Sequence, residues 1–181
     1  MSEPRTQTNP RVLWFYGADA VGKSTIGWEA YSNLVGRQAR VAYVDTDYLS
    51  FCHPAPAEPA GLVAENLRAV WSVYQAHGID QLVVSGIVVT PEDRATLVAS
   101  IPGARFVFCR LTARPETVRR RILARREAEA ATQDTAISAE TRAELEEYGQ
   151  RSVGFAELLA RFRAGGFRAL DRRAHTGRTG G

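Results

Sequence analysis

Lys23 is the only lysine in this 181-residue chain, and it stands in Gly17-Ala18-Asp19-Ala20-Val21-Gly22-Lys23-Ser24. Of the 23 lysines and arginines, the other 22 are arginine. A chain that uses arginine everywhere else and lysine here calls for a compact, mobile ammonium at this point. The spacing is the phosphate-cradling pattern G-x-x-x-x-G-K-[ST], the Walker A or P-loop. Glycines let backbone wrap an oxyanion where a Cβ would block the approach. Successive N–H groups and a helix start then present partial positive charge to the β-phosphate. Lys23 would serve the β- and γ-phosphates of ATP, and the Ser24 hydroxyl would serve Mg²⁺. The expected nucleotide cradle is therefore Gly17, Ala18, Asp19, Ala20, Val21, Gly22, Lys23, Ser24 and Thr25.

Asp45-Thr46-Asp47 follows a second apolar run. In open α/β sheets ligands bind beyond the carboxyl ends of the strands. If extended, the two carboxylates point to one side. Asp45 would hold Mg²⁺ or its water, and Asp47 would accept the proton of an acceptor hydroxyl. The plainer alternative is a turn in which an aspartate caps the next segment.

A third group is Arg119, Arg120, Arg121, Arg125 and Arg126, on a helix with Val118, Ile122 and Leu123 as its apolar face. At about 100° per residue, Arg121 and Arg125 stand within about 40° of each other. Beside a phosphate loop such a pair can clamp transferring phosphates and neutralise developing charge, with Arg126 next in line. The alternative is an amphipathic helix with solvated arginines, partly compensated by Glu127 and Glu129.

Alternating strand and helix patterns must position these groups, which predicts a parallel sheet covered on both faces. Strands are expected at 11–16, 40–44, 81–85 and 106–109, with a fifth at 167–170. Helices are expected at about 22–37, 61–77, 91–100 and 115–130, with Ala/Glu-rich helical stretches from 138 to 164. Residues 48–61 read as a proline-rich loop. Thr90, Pro91 and acidic residues announce the third helix, and His77-Gly78 ends the second. Trp28, Trp71 and Tyr74 read as core.

Length and a 45% hydrophobic, 24% charged composition fit one globular domain. The reading divides the chain into a polar, flexible 1–10, a single domain over 11–171, and a basic disordered tail over 172–181. From Arg161 onward six arginines face one aspartate, a local +5 within a net charge of +3. The tail lacks interleaved aromatics, so it reads as solvated and not as a nucleic-acid contact. No apolar run reaches the roughly 20 residues of a membrane span, and Met1–Pro10 lacks a signal-peptide core. Cys52 and Cys109 read as small buried hydrophobes in a reducing cytoplasm.

With these residues the chain resembles the small P-loop kinases: shikimate and gluconate kinases, chloramphenicol phosphotransferase and nucleoside monophosphate kinases. The likeness runs from about Arg11 to Leu170 and rests on Gly17–Ser24, Asp45-Thr46-Asp47 and Arg121-Ile122-Leu123-Ala124-Arg125. It implies a five-stranded parallel sheet of order 2-3-1-4-5 and a lid over ATP, here about 121–140. It also implies that Asp45 and Asp47 serve Mg²⁺ and the acceptor, and that lid arginines touch phosphates. The chain departs from the family after strand three, where Ser85-Gly86-Ile87-Val88 offers no carboxylate. Metal binding would then rest on Ser24, Asp45 and water.

The expected activity is ATP-dependent phosphorylation of a hydroxyl on a small-molecule acceptor by a monomer or homodimer. His53 in the loop and Arg68 on the following helix are candidate acceptor contacts, each with a surface role as its alternative. A nucleoside monophosphate kinase is one variant. An ATP-dependent regulatory protein touching nucleic acid through its tail is the rival class. A guanine switch needs the N-K-x-D pattern, which a chain whose one lysine is Lys23 does not contain.

Overall fold

The computed structural model describes residues 9–132, 141 and 143–152. Four parallel strands form its sheet: β1 (Arg11–Tyr16), β2 (Val41–Asp45), β3 (Gln81–Gly86) and β4 (Arg105–Arg110), in the order β2-β3-β1-β4. This is the expected order for four strands; the fifth strand expected at 167–170 lies outside the described residues. The central strand β1 pairs Trp14 with Val84 on one side and with Phe108 on the other. Both of its faces are covered, so Arg11-Val12-Leu13-Trp14-Phe15-Tyr16 reads as a run and not as an alternation.

One face carries α1 (Lys23–Gly36), where Ile26, Ala30, Tyr31 and Leu34 pack on Phe15, Val41 and Val83. The other carries α2 (Pro59–Ala76) and α3 (Pro91–Ala99), where Leu67, Trp71 and Leu97 meet Trp14, Val84 and Phe108. The result is the three-layer α/β architecture expected from the sequence. Thr90 and Asp93 form a capping box on α3, the arrangement that lets each satisfy a free backbone donor of the other's turn. The fourth helix, α4 (Pro115–Thr132), packs Val118 and Ile122 on Ala18, Ala20 and Val21, joining it to the glycine-rich loop. It is one continuous helix through 121–132, and the rest of the expected lid, 133–140, lies outside the described residues. Residues 143–152 are helical.

Three sequence expectations need correction. Trp28 is 56% exposed, tilted against Tyr31 and edge to face with Tyr43, and not in the core. Cys52 is exposed, whereas Cys109 is buried as expected. The stretch after β2 is not extended: Thr46–Leu49 forms a short 3-10 helix, so Asp45 and Asp47 are not alternate residues of one strand. Among the described residues no helix is long and apolar enough to cross a membrane. Residues 1–8 of the segment expected to be flexible, 1–10, and the expected basic tail 172–181 lie outside the described residues.

Candidate active site

The glycine-rich loop leaves β1 at its carboxyl end and runs into α1. Gly17 has φ +152°, and a Cβ there would lie 2.4 Å from the carbonyl oxygen of Leu111. No side chain with a Cβ fits that approach. Gly22 is the N-cap of α1 in the left-handed region, and no side chain caps this end. No acidic residue stands in its first turn. The open N–H groups of α1 are thus available to an anion, with the helix dipole behind them. The contrast with α3, capped by Thr90 and Asp93, is direct.

Lys23 is buried, and its Nζ donates to the Ala18 carbonyl at 3.1 Å. It also faces the Asp19 carboxylate at 3.7 Å. The Tyr148 hydroxyl donates to the other side of Asp19 at 2.6 Å. That hydrogen bond to the carboxylate, followed by burial, raises the Tyr148 pKa. Arg121 donates to the carbonyls of Ala20 and Val21, both at 3.1 Å, so its guanidinium lies on the loop. Arg125 is exposed and pairs with no described residue, and Arg126 pairs with Glu129 at 2.9 Å. Of the expected clamp, Arg121 is the member that the structure brings to the loop.

Asp45 takes the capping role that the sequence offered as the alternative and also meets Ser24. Its Oδ1 accepts from the Asp47 N–H at 3.1 Å and caps the 3-10 helix, while its Oδ2 accepts from Ser24 Oγ at 2.6 Å. Ser24 and Asp45 therefore present two oxygen ligands side by side at the start of α1. Mg²⁺ takes oxygen donors and keeps several waters, so this pair fits it without a larger protein cage. Among the described residues no group of three or more His, Cys, Asp or Glu converges as a metal site. Behind Asp45, the Tyr43 hydroxyl lies 2.7 Å from Ser85 Oγ and 3.5 Å from Asp45 Oδ2. Burial chiefly raises the Tyr43 pKa, which keeps it a neutral donor. Ser85 thus occupies the place after strand three where a carboxylate was missed.

Asp47 sits in the first turn of the 3-10 helix, half-buried. Burial raises its pKa, the Lys23 charge opposes the rise, and Asp45 and Asp19 reinforce it. Asp47 also lines a cavity of about 340 Å³ between the 3-10 helix, α2 and α3. His53 and Arg68 are both exposed and neither lines this cavity.

Four contributors were not singled out from the sequence as parts of a site. Tyr148 lies 129 residues from Asp19, in an Ala/Glu-rich stretch without any distinguishing pattern. Asp93 read as a helix-start acid, which it also is. Tyr43 stands two residues before Asp45 on one strand face, a period-2 signal that was present. Gly86 is explained by contact alone: a Cβ there would lie 1.8 Å from Thr46 Oγ1, which donates to the Ser85 carbonyl at 3.2 Å.

The fold has counterparts among solved structures. Mycobacterium tuberculosis APS kinase CysC, solved with AMPPNP and APS, superposes with TM-score 0.50 at 18% identity over 82% of this chain and 98% of that one. The fold is that of the small P-loop kinases. A protein from Silicibacter sp. TM1040, provisionally named a fructose transport system kinase, gives TM-score 0.55 at 14% identity, covering 87% of this chain and 88% of its own. A provisionally named kinase from Chloroflexus aurantiacus J-10-fl gives 0.52 at 18%, covering 80% of each. No protein-family model and no curated protein matches the sequence.

Proposed function

We propose that this chain is an ATP-dependent, Mg²⁺-requiring kinase that phosphorylates a hydroxyl of a small-molecule acceptor. The observation that carries the reading is the meeting, at one sheet edge, of the Lys23 loop, the Ser24–Asp45 contact and an upward-tuned Asp47 that opens onto a cavity. A glycine-rich turn of purely structural purpose would not need the other two.

Each residue then has a task. The N–H groups of the loop and Lys23 hold the β- and γ-phosphates. Ser24 and Asp45 would hold Mg²⁺ through oxygen, and that ion supplies charge neutralisation on the phosphates. Tyr43 and Ser85 orient Asp45 from behind. Asp47 accepts the proton as the acceptor oxygen bonds to the γ-phosphorus and the bond to ADP breaks. Arg121, already on the loop, shares the charge that develops on the transferring group. Positioning of two reactants across one edge contributes most of the rate in such a site.

The test is a panel of hydroxyl compounds with ATP and Mg²⁺, scored by the mass of phosphorylated product. Asp47→Asn is expected to abolish product while nucleotide still binds. ADP release at one slow rate whatever compound is added would refute the kinase reading.

A further inference from the structure

We propose that the acceptor is an uncharged or amine-bearing alcohol with an apolar body, not an acid or a phosphate ester; this rests on the kinase reading above. The cavity beside Asp47, at about 340 Å³, is at the small end of the range of about 300–1,000 Å³ for small-molecule sites. Its walls are apolar, from Pro59, Ala60 and Val63 on one side and Ile87, Val89 and Leu97 on the other. Its polar groups are two carboxylates, Asp47 and Asp93, and the hydroxyl-bearing Thr46 and Ser50.

Among the described residues no arginine, lysine or histidine lines this space. Lys23, whose charge acts on Asp47 from the glycine-loop side, does not line the cavity and is held by the Ala18 carbonyl and Asp19. Arg94 lies 4.7 Å over the Phe108 ring. Arg68 faces solvent from α2. An acceptor carboxylate or phosphate would therefore enter an apolar space beside two acids, where desolvation and like-charge repulsion both oppose it. A hydroxyl or an ammonium meets acceptors instead. Asp93 is held in place for this, its Oδ2 accepting from the Thr90 N–H at 3.0 Å.

The segment that carries the lining residues Asp47 and Ser50 adds a further observation. Tyr48 and Phe51 are each 76% exposed and touch edge to face with ring centroids 5.9 Å apart. They flank Ser50 on the segment that carries Asp47. Two large aromatic faces left in water on the segment that supplies Asp47 and Ser50 to the cavity match an acceptor whose body is itself apolar.

The experiment supplies ATP and Mg²⁺ with four size-matched acceptor classes: neutral aryl or branched-alkyl alcohols, amino alcohols, hydroxy acids and nucleoside monophosphates. Phosphorylated product is scored by mass, and nucleotide binding is followed separately by calorimetry. Product from the first two classes alone supports the proposal. With the preferred acceptor, Phe51→Ala should raise KM about tenfold with kcat little changed, and Ile87→Arg should cut kcat/KM by at least about tenfold. Preferential turnover of hydroxy acids or nucleoside monophosphates overturns the acceptor assignment and leaves the kinase reading standing. Nucleotide binding without product from any class overturns both.

Discussion

Asp47 separates two regions made of opposite materials. On the glycine-loop side, backbone N–H groups and one buried ammonium come from a few residues of sequence, one guanidinium joins them from about a hundred residues away, and glycine is fixed by close approach. On the acceptor side, aliphatic residues from two helices and a loop enclose a cavity with carboxylates and no lining cation among the described residues. In the proposed function the first region binds a shared chemical group, phosphate, and that group would dictate its geometry. The second, in the same proposal, would be shaped by the molecule that carries the hydroxyl, so its residue types would follow an individual ligand. A charged, hydrogen-bonded half thus meets a desolvated half, and the carboxylate at their boundary is pushed upward by burial while Lys23 holds it down.

That division can be broken most severely at the boundary itself. Asp47→Asn should lower kcat by about 10²–10⁴-fold, the range for loss of a general base, with nucleotide affinity retained. Rapid-quench turnover alongside calorimetry separates the two quantities. Lys23→Ala should cost about 10²–10³-fold in kcat and weaken nucleotide binding as well, because its charge meets the phosphates before and during transfer. Affinity of the acceptor cavity should survive that change, as ligand-observed NMR would show.

Smaller effects sharpen the same contrast. Gly86→Ala must displace Thr46 from 1.8 Å, and an overpacked site of this kind costs about 1–3 kcal/mol, readable in a urea titration. Asp47→Asn should also raise stability at neutral pH. A folded-state pKa above the unfolded one means that ionisation penalises the fold, a penalty fully present above the folded pKa and lost as pH falls below the ordinary aspartate range. The stabilisation of the variant should accordingly fade in acid melts. Tyr148→Phe removes the hydrogen bond to Asp19, worth about 0.5–1.5 kcal/mol. Its activity effect should be slight unless Asp19 needs that anchor to steer Lys23.

Local sequence carried the nucleotide side well. A contiguous eight-residue pattern between a strand and a helix specifies loop, dipole and cation together, and the strand boundaries follow from apolar runs buried on both faces. Asp45 was legible too, although its two oxygens turned out to serve the cap and Ser24 at once. The acceptor side was not legible in the same way. Asp47 could be named, but the 3-10 turn that aims it depends on Gly86 meeting Thr46 across 40 positions of sequence. Asp93 and Val63 gain their meaning only when α3 and α2 close on that turn. His53 and Arg68 had suitable chemistry at a suitable place in the chain, yet neither reaches the cavity, since exposure on a helix or loop is settled by packing at a distance. Arginine spacing alone did not separate Arg121, which meets the loop, from Arg125, which does not.

The account rests most directly on acceptor-dependent phosphoryl transfer through Asp47. The decisive measurement follows phosphorylated product by mass with ATP, Mg²⁺ and a panel of hydroxyl compounds, in the native chain and in Asp47→Asn. It should show product that depends on the acceptor in the native chain and none above background in the variant, with equal nucleotide binding in both. Equal product in the two proteins, or ADP formed at one rate regardless of the acceptor, would contradict the account.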